Sequence, residues 1–345
     1  MAKVPNSVIG VDIGRYALKS VVLQRRGPDR LALTHFGSHV PATPATTAEA
    51  LAAQLKLLFK DMGGSAKACA VSVSSPETLL RIIEQPDTPV DILRDALRLN
   101  GMALLNQDCR SFVLDCDRIS ASTAEAVEGQ APRYKFLVGG LPRTEVEQVG
   151  AAVSSASHSL YGMQLAPISV FNAFELAEPE VFSGSAFFLL DIGHTTSTVM
   201  VGAKKELMLI RTVDFGGKSL LDALSGLSGE SRDSIIQALD QEDEMMVEYS
   251  RVATNSLSRE IQSSIGFFEH NHDQAIRDVY ISGGPAKSRT FLKLMAEELG
   301  LPCHAWNAVE RCEVTVPAAR KNQLQTDALD LNVACGTAAA ILNGN

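Results

Sequence analysis

The sequence predicts an α/β protein of two lobes, with a small α+β insertion in the first. Three observations carry this. Its 345 residues exceed one ordinary core and suit two domains. Short apolar strands alternate with amphipathic helices, the pattern of mixed layers. One local arrangement, an apolar strand ending in Asp-x-Gly and turning into a second strand, opens each half of the chain. It stands at Asp12-Ile13-Gly14 and again at Asp191-Ile192-Gly193, 179 residues further on (12 to 191).

Taken in order, VIGVDI (8–13), LKSVVLQ (18–24) and LALTHF (31–36) read as a strand meander. A loop rich in Pro, Ala and Thr leads to a helix with Leu51, Leu55, Leu58 and Met62 on one face, stopped by Gly63-Gly64. KACAVSV (67–73) reads as a buried strand. The texture changes near residue 78. TLLRIIE (78–84) reads as a strand, and Thr88-Pro89-Val90-Asp91 as a helix start with Pro and an acid near the positive end. One helix, ILRDALRLNGMALL, follows, then strand RSFVLDCD (110–117), a polar loop, strand YKFLV (134–138) and a helix from Arg143. This block is expected to be the insertion. FELAEPEVFSGS (174–185), with Pro179 and Gly184, is the expected joint between lobes.

The second half repeats the opening with AFFLLDI (186–192), TSTVMV (196–201) and ELMLIRTVD (206–214). Two short helices are expected in GGKSLLDALSGL and ESRDSIIQALDQ. A long one follows, with Leu257, Ile261, Ile265 and Phe268 on a stripe. VYISGG (279–284) is a strand running into a glycine turn, AKSRTFLKLMAEELG the helix after it, and LNVACGTAAAIL the closing helix.

Composition narrows the function. Apolar residues make up 46% and the formal charge is −9, which suits a well-filled core and argues against a broad nucleic-acid footprint. No apolar run approaches the roughly eighteen residues of a membrane span, and Asp12 interrupts the N-terminal stretch, so no signal peptide is read there. The six cysteines never form Cys-x-x-Cys and mostly sit in apolar surroundings, as free thiols in a reducing compartment would. His270 and His272, two apart on a helix, do not share a face and make a poor metal pair.

Two facing Asp-x-Gly turns could clamp a polyphosphate: glycine lets the backbone approach an oxygen, turn N–H groups cradle it, and a strand-end Asp holds a magnesium ion through water. Ser282-Gly283-Gly284, at the carboxyl end of a strand, is a third turn suited to the same ligand. Two other patterns fail. Asp214-Phe215-Gly216 lacks the companion loops of a protein kinase. Gly217-Lys218-Ser219 lacks the first glycine of a Walker loop, since residue 212 is Thr.

These features together resemble the actin-like ATPase superfamily, with its ribonuclease-H-like lobes, and within it the PilM branch beside FtsA. The likeness runs through VIGVDIGRYALKSVVL, LRIIEQPDTPVDILRDALRLNG, LLDIGHTTSTVMV, VDFGGKSLLDAL, LSREIQSSIGFFE, VYISGGPAKSRTFLKLMAEELGLP and VACGTAAAI. It implies a first-lobe core over 1–77 and a 1C subdomain over 78–162. The chain would return to the first lobe at 163–182, form a second lobe over 183–332 with its own insertion at about 220–275, and close with a helix at 333–345. By matching position, Asp12 and Asp191 would face a metal. Gly14, Arg15, Lys19, Gly193, Thr195 and Thr196 would line the phosphates, while Gly216, Gly217, Asp233, Gly283 and Gly284 would bracket ribose and adenine. The implied ligand is ATP or ADP with Mg2+.

Departures from the family pattern temper the chemistry. Arg15-Tyr16 replaces the usual Ser or Thr of the first turn, Ile236 replaces the ribose-helix cation, and Pro285 replaces a third glycine. The resemblance therefore implies a cytoplasmic scaffold with weak or absent turnover and no catalytic residue. It would sit peripherally at the inner membrane, through the cytoplasmic peptide of a PilN-like membrane protein bound in a groove lined by about 78–105 and the neighbouring core. Self-association is compatible with it; nucleic-acid binding and direct membrane insertion are not expected. A metabolite kinase or ATPase of the same fold would need a further base, and Ser169 stands where an acid is common. An FtsA-like division filament would need a basic amphipathic tail, and no Lys or Arg follows Lys321.

Overall fold

The computed structural model describes residues 5–27, 30–119 and 132–344. Strands β1 (Ser7–Ile13), β2 (Leu18–Arg25) and β3 (Leu31–His39) form the antiparallel meander. Helix α1 (Ala48–Met62) follows, its start capped by the Thr47 hydroxyl accepting from Ala50 N–H and its end turned by Gly63 at φ 73°. It buries Leu51, Leu55, Leu58 and Met62 against the sheet and lets β4 (Ala68–Val73) return parallel to β1.

The insertion is built from β5 (Leu79–Pro86), α2 (Val90–Leu99), α3 (Gly101–Leu105), β6 (Phe112–Arg118) and β7 (Arg133–Pro142). Its sheet has the order β5-β7-β6 and a separate core around Leu79, Leu93, Leu97 and Phe136. The single helix expected after Val90 is broken at Asn100, whose non-helical backbone (φ −122°, ψ 32°) ends α2 and starts α3. Most of the expected polar loop between β6 and β7, residues 120–131, lies outside the described residues. Helix α4 (Arg143–Ser155) leads to β8 (Ser159–Leu165), which bonds to β4 although it begins within the range 78–162. Helices α5 (Ala166–Ala177) and α6 (Pro179–Ser183) then occupy the stretch read as a joint. Pro179 acts there at a helix start, where its missing N–H is harmless.

The second lobe repeats the first. It comprises β9 (Phe187–Ile192), β10 (Ser197–Ala203), β11 (Glu206–Val213), α7 (Gly217–Ser228), α8 (Arg232–Asp240), α9 (Glu244–His272) and β12 (Val279–Gly283). Helix α10 (Arg289–Leu299) and β13 (Cys303–Ala305) complete it. The chain then crosses back. Strand β14 (Glu313–Val314) pairs with β3, α11 (Lys321–Asp327) follows, and α12 (Asn332–Asn343) closes on the first sheet. Sheet orders β14-β3-β2-β1-β4-β8 and β11-β10-β9-β12-β13 share one plan, in which an antiparallel meander is extended by two parallel strands. The sequence placed 301–331 in the second lobe without reading elements there; in the structure it returns through short 3-10 turns, and β14 joins the first sheet beside β3.

The lobes share a continuous core. Phe174 on α5 packs against Phe187, Tyr280 and Trp306 of the second half, while Val8, Val21 and Leu23 join the same cluster from the first. Five cysteines are buried, Cys303 is half-buried, and all six are free. Burial pushes the Cys69 thiol up to about 12. Among the described residues no helix is long and apolar enough to cross a membrane.

Helix α12 lies on α5 at near backbone contact. A Cβ at Gly336 would collide with the Ser169 carbonyl oxygen and lie 2.8 Å from Ala173 N. Gly336→Ala is expected to lower stability by about 2 kcal/mol or more in urea titration. Gly226→Ala on exposed α7, where a Cβ meets nothing within 4 Å, should raise it by about 0.5 kcal/mol.

Candidate functional site

Each lobe brings one carboxylate to the carboxyl end of its first strand. Gly14 is required by close approach: a Cβ there would sit 2.7 Å from the Ala17 carbonyl oxygen. Gly193 meets Thr196 O at the same 2.7 Å, and its N–H donates to that carbonyl at 3.0 Å. The two turns are thus the same structure built twice. They also face each other, since the Tyr16 ring lies 5.1 Å from the His194 ring.

Asp12 is only 5% exposed. Its Oδ2 lies 3.9 Å from Lys19 Nζ across the β1–β2 pair, where the two residues are register partners, and its Oδ1 is buried without a partner. Half-buried Asp191 accepts from Ser282 Oγ at 2.6 Å through Oδ1. Burial raises the Asp12 carboxyl to about 6, opposed by Lys19 and aided by Asp191 and Asp330. Asp191 is raised too, first by burial, with Ser282 and Lys19 lowering it. The carboxylates of the two lobes therefore sense each other, and Lys19 acts on both.

The expected second-lobe glycines gather at the same place. Gly217 N–H donates to Gly193 O and Lys218 N–H to His194 O, both at 2.9 Å. A Cβ at Gly216 would press on the His194 carbonyl at 2.5 Å. Gly283 takes φ 93°, and a Cβ there would run into Ile192 O. Gly284 faces open space. Thr195 is half-buried and Thr196 exposed in the turn. Ser197 Oγ donates to Phe215 O at 2.7 Å, pinning this turn to the start of α7.

Asp233 is exposed on α8, and its neighbour Arg232 is the residue tied into the site. Arg232 pairs with Asp222 at 2.6 Å, as does Lys218. His194 is held below its ordinary value by burial first, then by Lys218, Arg232 and Arg15. The sequence placed Ser282 in the third turn but gave its hydroxyl no role, and Asp222, Arg232 and Asp330 carried no local signal.

Below the turns, a cavity of about 350 Å³ opens beside the first hairpin. It is walled by Gly14 and Arg15, by Pro41 and Pro44 to Thr46, by Ser74 to Glu77, and by Thr144, Glu145 and Gln148 of α4. No residue of 78–105 lines it.

The cleft fits a hydrated divalent cation. Each lobe offers a carboxylate, and Asp12 Oδ1 has no protein partner. Among the described residues no three His, Cys, Asp or Glu side chains converge, so a cation there would complete its shell with water and ligand oxygens, as Mg2+ does. Without a cation the buried Asp12 charge costs stability. The folded chain keeps a proton up to about pH 6, whereas the unfolded carboxyl releases it near its ordinary 3.8. The cost is therefore full above about pH 6 and absent below about pH 4. Asp12→Asn, without divalent cations, is expected to be more stable than the parent at about pH 7.5 by up to roughly 3 kcal/mol, with the advantage fading from pH 6 to pH 4 in denaturant titrations.

Comparison with known proteins gives this geometry a family. The model of the type IV pilus assembly protein PilM matches residues 160–340. A solved PilM-PilN type IV pilus biogenesis complex is similar at TM-score 0.80 and 22% identity, covering 99% of both chains. The ethanolamine utilization protein EutJ of Carboxydothermus hydrogenoformans is similar at TM-score 0.56 and 14% identity, covering 97% of this chain and 89% of that one. A Bacteroides thetaiotaomicron protein with an actin-like ATPase fold reaches TM-score 0.50 at 6% identity, covering 96% and 95%. No curated sequence matches significantly. The two repeated lobes with their insertion are the actin-like ATPase fold, and the chain belongs to the PilM family of type IV pilus assembly proteins.

Proposed function

We propose that this protein is a cytoplasmic scaffold of an inner-membrane pilus or related secretion platform, holding the cytoplasmic peptide of a PilN-like membrane protein. Family membership over residues 160–340 carries the reading, and the full-length likeness to PilM in a complex with PilN supports it. The peptide would lie in the cavity between the first-lobe sheet and α4; of the groove read from the sequence, about 78–105 and the neighbouring core, the core part lines this cavity. Thr144 is exposed at the start of α4 and lines the cavity, so Thr144→Arg fills it without touching the core. This variant should weaken the partner peptide at least about tenfold in fluorescence anisotropy, with melting unchanged. Undiminished binding would remove the peptide from this groove.

The cleft would bind ATP or ADP with Mg2+ between the two Asp-x-Gly turns. Asp12 and Asp191 would hold the cation through water, Gly14, Arg15, Lys19, Gly193, Thr195 and Thr196 would serve the phosphates, and Gly216, Gly217, Gly283 and Gly284 the nucleoside. The cation neutralises phosphate charge; the chain's own part is to position it. Arg232 and Asp222 replace Asp233 as the polar groups tied to this side of the cleft. Turnover is proposed to be weak or absent. The Ser169 hydroxyl donates to Gln164 at 2.9 Å and accepts from Thr337 at 3.0 Å, so that position supplies no base. Calorimetry with Mg-ATP should show heat in the parent that is lost in Asp191→Ala; silence in the parent would refute nucleotide binding.

A further inference from the structure

The repeat between the lobes isolates one mismatch. In the second lobe Asp191 of β9 is the parallel register partner of Ser282 on β12, and the serine donates to the carboxylate at 2.6 Å. In the first lobe Asp12 of β1 is the parallel register partner of Ser72 on β4. The two serines are structural counterparts, each beside its aspartate on the same sheet face. Yet Ser72, fully buried, has a hydroxyl without a partner, and so does Asp12 Oδ1 next to it. Two buried polar atoms on register-paired residues, both without a partner, are costly unless a ligand or water satisfies them. Among the described residues the only cation in ion-pair range of Asp12 is Lys19, on its other oxygen, Oδ2.

We propose that Ser72 is a third protein anchor of the divalent-cation site: Asp12 Oδ1 and Ser72 Oγ together hold one water of the cation's shell, with Asp191 contributing from the opposite lobe. This rests on the two-carboxylate cation site proposed above and adds to it a residue from a strand that no Asp-x-Gly pattern marks. The asymmetry then has a physical meaning. Ser282 fixes its carboxylate directly, so Asp191 is oriented before any ligand arrives. Ser72 and Asp12 make no such bond and are left to be joined by a water of the hydrated ion. A buried water with two or three polar partners is a common structural element, and here it would be supplied with the ion.

Mn2+ alone, titrated by calorimetry and by its shift of the melting temperature, tests this on the full chain. The parent should bind one Mn2+ and melt higher with it, and Asp12→Asn should abolish both effects. Ser72→Ala should bind Mn2+ about tenfold or more weakly, Ser72→Thr should restore most of the affinity, and the metal-free melting of Ser72→Ala should equal or exceed the parent's, since an orphaned hydroxyl is removed. Equal Mn2+ affinity in Ser72→Ala and the parent overturns the role of Ser72 while sparing the two-carboxylate site. A metal-free loss of stability in Ser72→Ala also overturns it, because the serine then bonds Asp12 directly, as Ser282 bonds Asp191. No Mn2+ response in the parent overturns the cation site itself and this proposal with it.

Discussion

The cleft exists because two helices cross at almost bare backbone. Gly336 of α12 lies against the Ser169 carbonyl of α5 with no room for a methyl group, and small residues such as Ala334, Ala338 and Ala339 bury the rest of α12. Bulkier packing would push the helices apart and swing one sheet away from the other. With the crossing this tight, two separately folded sheets present their Asp-bearing strand ends to a common space, and the Tyr16 and His194 rings touch across it. The site is thus set by helix packing behind the first sheet, where Ala334 of α12 lies against Gly10, two residues before Asp12.

What that packing creates is electrostatically unfavourable by itself. A chain of net charge −9 places two carboxylates at the bottom of one cleft, with Asp330 close enough to raise Asp12 further. Among the described residues Lys19 is the one cation opposing both, and its 3.9 Å contact with Asp12 is an ion pair without a hydrogen bond. At the mouth the balance reverses: Lys218 and Arg232 share a single carboxylate, and Arg15 adds to the positive field around His194. An acidic floor beneath a basic rim accommodates a metal ion carrying an anionic ligand, since each charge then meets its opposite.

The repeated hairpins were legible because the constraint behind them is local. An apolar strand ending in Asp, then a glycine forced by the carbonyl three residues later, leaves its signature within six positions, and it does so at both Gly14 and Gly193. The helices with apolar residues three and four apart, α1, α7 and α9, were legible for the same reason. The stretch 174–185, read as a joint, is helical in the end of α5 and in α6, because Pro179 and Gly184 mark a helix start and stop as readily as a loop. The break at Asn100 was hidden inside a continuous helical pattern. Residues 301–331 carry no strong period, and their path across to β3 is dictated by tertiary contacts such as Asn332 binding the backbone of Trp306 and Ala308.

Ser72 shows the limit of reading motifs one segment at a time. In ACAVSV it looks like a small residue tolerated in a buried strand, and nothing in its neighbourhood connects it with Asp12, sixty positions away. Only the β1–β4 register makes them partners, and only the second lobe supplies the comparison in which the same pair is hydrogen-bonded. The first turn is a similar case. Gly14 and Arg15 wall the cavity beneath the sheet while Tyr16 reaches across to His194, so the Arg-Tyr pair that departs from the family's usual Ser or Thr belongs to two surfaces at once. Its departure is therefore not simple erosion of a phosphate turn: a small side chain there would leave one wall of the cavity and one side of the interlobe contact unfilled.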